Sequence, residues 1–274
     1  MLNIRHAACA ALASVLLAMP AVHAGDATPP PIPDDLQPAV LAAEETGRRL
    51  QRLDRAAWIA TDVMQADRSA RRLRRSVRGW ITEATGTGTR VSFHDGSQPA
   101  RPVYIVDVDQ TGRSSVVDVA EGAAFDAGAQ AMIRARNAAL SQAFLQCSRT
   151  YNSVVFPKDE EIHVYLMPGT KQHHVYPAGG HHLFVFDAEG SALRSNRKFT
   201  NGCIDLGGGG ERMAALMVTH LLDPQPTEIH VFISLNAPIP LMVATSSPRS
   251  ADKPMGWVVE QGRIGVLFHP DDPD

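Results

Sequence analysis

Polar and apolar residues alternate along Glu161-Ile162-His163-Val164-Tyr165-Leu166. In an extended chain this puts Glu161, His163 and Tyr165 on one side and Ile162, Val164 and Leu166 on the other. It is the densest strand signal in the sequence. A paired-histidine run follows, then the turn Pro177-Ala178-Gly179-Gly180, a second histidine pair and the apolar run Leu183-Phe184-Val185-Phe186. Asp187-Ala188-Glu189-Gly190 turns the chain again, so residues 151–206 read as an antiparallel meander. An earlier β unit is predicted at 80–82, 90–93, 102–108 and 115–119, with Asp109-Gln110-Thr111-Gly112 as one of its turns. The glycines at 86 and 88 read as another hairpin turn, because they lack the GK[ST] ending and the helix that a phosphate loop needs.

Two longer stretches carry the helical period instead. Over 39–78, Leu50, Leu53, Ala57, Ala60 and Met64 recur on one face, Trp58 and Ile59 broaden it, and Gly47 loosens its start. Over 121–146 the stripe is Phe125, Ala129, Met132, Ile133, Leu140 and Phe144; Arg136 interrupts it and is expected to snorkel to its edge. A glycine hinge at 207–210 precedes a third predicted helix at 211–222, which stops before Pro224. Strands are then predicted at 227–235, 240–245 and 257–264. Glu228-Ile229-His230-Val231-Phe232 echoes Glu161-Ile162-His163-Val164-Tyr165, and each is read as a strand opening after a helix. Either this is an internal repeat of a helix-plus-meander unit or the match is chance. The fold class predicted is α+β, antiparallel meanders alternating with helices; no GxGxxG follows a strand, which agrees.

The ends of the chain add a destination. Residues 1–24 read as a signal peptide: Arg5 and His6, an apolar run from Ala7 to Met19, and small residues at Val22-His23-Ala24. That run is shorter than the ~20 residues a membrane span needs, and no later stretch reaches that length. Residues 25–38 read as a Pro-rich tether and 39–274 as a single α+β globular unit, so the product is expected in the periplasm or secreted. Two cysteines remain after processing, Cys147 and Cys203. In an oxidising compartment they read as a disulfide, with a catalytic thiol as the alternative. The formal net charge of −3 gives no bulk electrostatic case for nucleic acid or acidic lipid. The arginines between Arg68 and Arg78 form either an anion-binding patch or a solvated helix face.

Cys147 with Tyr151-Asn152-Ser153-Val154-Val155-Phe156-Pro157, Gly179-Gly180-His181, and the run from Thr219-His220-Leu221-Leu222 to His230-Val231-Phe232 resemble an uncharacterised family of exported, signal-peptide-bearing proteobacterial proteins. The resemblance runs from about Trp58 to Ile264 and implies export; it brings no activity, cofactor or catalytic residue. Candidate chemistry therefore rests on the residues themselves. His163, His181, His220, Glu228 and His230 are the candidate site surface, placed where the two EIHV strands and the 173–182 hairpin approach. Imidazoles and carboxylates suit zinc, and His174 and His181 flank a tight turn, but neither HExxH nor HxH occurs and no metal site is assigned. Ser234 shares the predicted strand face with Glu228 and His230, without the GxSxG elbow of a hydrolase. Two function classes remain: a binding or envelope-associated module recognising a protein or cell-envelope component, and a zinc hydrolase built on the His/Glu cluster.

Overall fold

Helix α1 (Gln37–Ala66) is the longest element of the computed structural model, which describes residues 30–170, 172–207, 213–246 and 254–269. Val40, Ala43, Leu50, Leu53, Ala57, Ala60 and Met64 are its buried face, repeating at the three- and four-residue spacing of a helix lying on a core. Gly47 does not break it. Gly47 is where α1 meets a second helix: a Cβ there would stand 2.4 Å from Val231 Cβ. Trp58 is not part of the buried face and is 65 % exposed. The predicted tether overlaps ordered structure, since Leu36 is buried, Ile32 packs on the same core and the helix begins at Gln37. Residues 1–29, with the predicted signal peptide, lie outside the described residues. Beyond Ala66 two short 3-10 turns carry Arg68, Arg71, Arg72 and Arg75 into solvent.

The first sheet is a meander of β1 (Gly79–Ala84), β2 (Gly88–His94), β3 (Pro102–Asp109) and β4 (Ser114–Val117), in that order and all antiparallel. Helix α2 (Ala127–Leu140) is shorter than the sequence pattern, starting where Asp126 Oδ1 accepts from the Ala129 N–H at 2.8 Å, an N-cap that satisfies an otherwise orphaned donor. Then come β5 (Tyr151–Lys158), β6 (Glu161–Pro168), β7 (Val175–Pro177), β8 (His182–Asp187), β9 (Leu193–Lys198) and β10 (Asp205–Gly207). The second sheet has the order β5-β6-β8-β9, and β7 and β10 form a separate two-stranded ribbon. This sheet is covered on both faces. Ile162, Val164, Leu166, Phe184 and Phe186 pack with the alanines of α2, while Tyr165, Met167, Leu183 and Val185 face a larger core shared with α1. Fully burying one such side chain contributes about 2 kcal/mol. Cys147 and Cys203 are joined by a disulfide with their Cα atoms 5.3 Å apart. Gly180, at φ +83°, lies against it: a Cβ there would stand 2.5 Å from Cys147 Sγ.

The last third differs most from expectation. The segment read as a helix at 211–222 contains a strand, β11 (Leu216–His220), with Leu216, Val218 and His220 inward and Met217 and Thr219 outward. The segment read as a strand at 227–235 is helix α3 (Glu228–Asn236). β12 (Leu241–Thr245) then pairs parallel to β11, and β13 (Met255–Glu260) and β14 (Arg263–Phe268) complete a sheet of order β11-β12-β13-β14. β11, α3 and β12 thus form one parallel crossover in an otherwise antiparallel α+β protein. The two EIHV copies adopt different structures, one in β6 and one in α3, so this echo in the sequence does not correspond to a repeated structural unit. Of the predicted hinge, Gly207 ends β10 and residues 208–210 lie outside the described residues.

Arg136 does not snorkel. It is buried on α2 with Nε donating to Ser153 Oγ at 2.8 Å and Nη1 to Asn137 Oδ1 at 3.2 Å, its guanidinium over the Trp80 ring. Among the described residues it joins no ion pair, and burial pulls its pKa down to about 10. A buried charge held by neutral partners costs several kcal/mol of solvation. Arg136→Met keeps the aliphatic length and removes that cost, at the loss of a bond to Ser153 worth about 1 kcal/mol. Urea unfolding of this variant should show stability equal to the wild type or higher by about 1 to 2 kcal/mol; a clear loss would mean that the charge itself is used.

Candidate functional site

The predicted site residues fall on elements that converge at one end of the large core. His220 closes β11, and three residues on, Asp223 turns back so that its Oδ2 lies 2.8 Å from His220 Nε2. Arg197 of β9 donates through Nη2 to both Asp223 oxygens at 2.8 Å. Its Nη1 stands 3.9 Å from Glu228 Oε1 at the start of α3. Glu228 Oε1 in turn accepts from the Tyr165 hydroxyl of β6 at 2.9 Å. A chain of polar contacts therefore runs from Tyr165 through Glu228, Arg197 and Asp223 to His220, bridging the second sheet to the parallel crossover.

Two further histidines complete the cluster. His230, at the third position of α3, returns its Nδ1 to accept from the Thr227 N–H at 2.9 Å, in the place a glutamate takes in a capping box. That bond fixes the ring as the neutral tautomer protonated at Nε2. Its ring packs edge-on against His220, centroids 4.8 Å apart. His181 donates Nε2–H to the Pro177 carbonyl at 2.9 Å, and its buried Nδ1 has no hydrogen-bond partner among the described residues.

Electrostatics follow from burial. It lowers the pKa of His181 to about 4, against the Pro177 hydrogen bond. It lowers that of His230 to about 3, with the neighbouring His220 and His181 rings pushing the same way. Burial, then Glu228, keeps the Tyr165 hydroxyl protonated well beyond its ordinary range. Burial alone would raise Asp223, but the bonds from His220 and Arg197 bring its carboxyl below the usual value.

Four of the five predicted residues, His181, His220, Glu228 and His230, thus belong to one neighbourhood. His163 does not: its ring stacks on Phe156, 5.9 Å between centroids, beside Glu161 at 3.8 Å. Ser234 is not a companion of Glu228 on a strand face; it lies within α3, donating to the Val231 carbonyl and accepting from the Gly262 N–H. Sequence reasoning missed Asp223, Arg197 and Tyr165. A signal existed for the first, since an acid three residues after His220 ends a segment stopped by Pro224. Among the described residues no group of three or more His, Cys, Asp or Glu side chains is placed to hold a metal ion. Only Arg197 and Asp223 give this network appreciable contact with solvent, and apart from His181 Nδ1 its polar side chains are bonded to one another or to the backbone, which suits a buried crosslink better than a catalytic constellation.

The open concave surface lies elsewhere, along one flank of α1. Arg48, Arg52 and Arg55 succeed each other there at spacings of four and three, with Arg49 beside them. They border two hollows of about 600 and 690 Å³ that share Arg48, Arg52 and Ala84. Phe156 supplies an aromatic wall, with the Arg49 guanidinium 3.9 Å above its ring centroid. Arg48 is committed to Glu44 and to the Gly262 carbonyl, both at 2.7 Å. Arg49 and Arg52 join no ion pair among the described residues, and burial followed by the adjacent Arg52 charge lowers the pKa of Arg49. Glu45 and Glu83 also border the groove, and burial, then Asp126, raises the Glu83 carboxyl. No family model, curated protein or solved structure matches the chain.

Proposed function

We propose that the protein is an exported, periplasmic binding module that recognises an anionic component of the cell envelope, on a partner protein or on another envelope molecule, in the arginine-lined groove of α1. The observation that carries this reading is the pair Arg49 and Arg52. Two neighbouring guanidiniums that join no ion pair among the described residues, one resting on an aromatic ring, form a site whose mutual repulsion an anion would relieve. The resemblance to exported proteins and the Cys147–Cys203 pairing support the compartment. The zinc-hydrolase reading of the His/Glu cluster draws no support from the way those side chains are already bonded.

Inorganic pyrophosphate is a direct probe. Calorimetry on the mature chain should show saturable binding that weakens as salt is raised. The double variant Arg49→Gln/Arg52→Gln should weaken it at least about tenfold, two charge-assisted hydrogen bonds being removed, with the melting temperature unchanged. No binding to the wild type, or equal binding to the variant, would overturn the assignment. Retention of solubilised envelope material on the immobilised protein should fall in parallel in the variant.

A further inference from the structure

Another flank of α1 holds a further hollow of different chemistry. Asp54, Trp58, Thr61 and Gln65 succeed one another at spacings of four, three and four, roughly a third of a turn around the helix from the arginine row. They open onto a space of about 290 Å³ whose other wall is Trp80 of β1 and Asn152 of β5. Asp62 stands at its edge. Trp58 is 65 % exposed, whereas Trp257, another of the three tryptophans, is fully buried. A tryptophan held in water on a rigid helix leaves a large apolar face uncovered. Asp54 lies deeper, with Oδ1 accepting from Asn152 Nδ2 at 3.1 Å. Burial pushes its carboxyl up to about 6, against that hydrogen bond.

The occupant is constrained from several sides. A purely apolar ligand would strip water from two carboxylates and give nothing back. An anion would meet the same carboxylates. What matches a flat aromatic face rimmed by carboxylates, carboxamides and a hydroxyl is a ligand with one apolar face and an edge of hydroxyl groups, which is the surface of a pyranose ring. The space suits a single ring, not a buried chain, and it opens to solvent so that the rest of a glycan can continue outward. We propose that the hollow between Trp58, Trp80 and Asp54 is a saccharide-binding site that takes one pyranose ring of a glycan, its CH face on Trp58 and its hydroxyls bonded to Asp54, Asp62 and Asn152.

Tryptophan fluorescence reads this directly, since Trp58 borders the site and faces solvent. The mature chain would be titrated with the methyl glycosides of glucose, galactose, mannose, N-acetylglucosamine and glucuronic acid, with choline in parallel as a cation that also seeks tryptophan and carboxylate. At least one glycoside should bind with a dissociation constant on the order of 1 mM, shifting the emission to the blue. Trp58→Ala should weaken it at least about tenfold at unchanged melting temperature, while Trp58→Phe should retain most of it. Asp54→Asn should weaken it about tenfold as well. That variant removes a half-buried charge and should melt no lower than the wild type, so its loss of binding cannot be assigned to unfolding. Arg49→Gln/Arg52→Gln should bind the glycoside as the wild type does, which separates this site from the anion groove. The assignment is overturned if no glycoside binds, if binding survives Trp58→Ala, or if choline alone binds with dependence on Trp58.

Discussion

Acidification from pH 6.5 to pH 4 should cost the protein roughly 6 kcal/mol through His181 and His230 alone. Both imidazoles are buried neutral, with pKa values lowered to about 4 and about 3 from an unperturbed 6.5. The unfolded chain takes up their protons near pH 6.5 and the folded chain does not. Their contribution is therefore fully present above pH 6.5 and is lost as pH falls towards the folded values. Asp54 works in the opposite sense. Its raised pKa of about 6 makes the folded state gain as pH falls from there towards 3.8, offsetting roughly 3 kcal/mol. The remaining loss is still a large part of the 5 to 15 kcal/mol typical of a domain. Urea titrations followed by circular dichroism at neutral pH and at about pH 4 should show it as a fall in the midpoint. His230→Gln cannot take up the proton and should flatten the acid limb while lowering stability at neutral pH, because the bond from Thr227 is disturbed. A midpoint independent of pH over that window would show that the two rings are not buried neutral.

Reduction of the Cys147–Cys203 bond should destabilise by about 4 kcal/mol, the chain-entropy value for a loop of this size; the two residues are 56 apart in sequence. For a chain of this length that corresponds to a melting temperature lower by about 8 to 16 °C. The bond also holds the segment after α2 against the turn at Gly180, and the Cys147 N–H donates to the Tyr151 hydroxyl at 2.7 Å. Opening it should therefore loosen that corner before the sheets. Calorimetric melting with and without reductant, and of Cys147→Ser/Cys203→Ser, measures both effects. A change below about 2 °C would mean that the closed loop is already constrained in the unfolded chain.

The sequence was most informative where one periodicity stood alone. α1, the first meander, Glu161–Leu166 and Leu183–Phe186 showed a stripe, alternation or an apolar run bounded by Gly, Pro and Asp turns, and Cys147 with Cys203 followed from counting. It failed where burial erased the period. Glu228, Ile229, His230, Val231, Ile233 and Ser234 of α3 are all buried, so no polar face marked a helix, and the β-branched residues imitated a strand. Thr227 followed by Glu228 was the available cue, a cap residue and an acid in the first turn. β11 was hidden by helix formers, with an alternation only five residues long. That Glu-Ile-His-Val builds a strand at one position and a helix at another shows tertiary context overriding local preference. Of the candidate site, the histidines were legible as residue types but not their use. The contacts of Arg197 and Asp223 join elements far apart in the chain, and so does the pairing of Arg49 with Phe156.

α1 is made early and completed late. Glu44, one of its buried side chains, accepts from the Ile264 N–H at 2.8 Å, and Arg48 reaches the Gly262 carbonyl, 220 and 214 residues further on. Its neighbour α3 lies almost as distant in sequence. Until the last hairpin arrives, Glu44 lacks the Ile264 N–H and Arg48 lacks the Gly262 carbonyl, and the two hold only each other. In the finished fold the start of α1 is closed by the C-terminal strands. A product ending before Arg263 would persist with α1 only half housed, a substrate for proteases more than a smaller version of the protein.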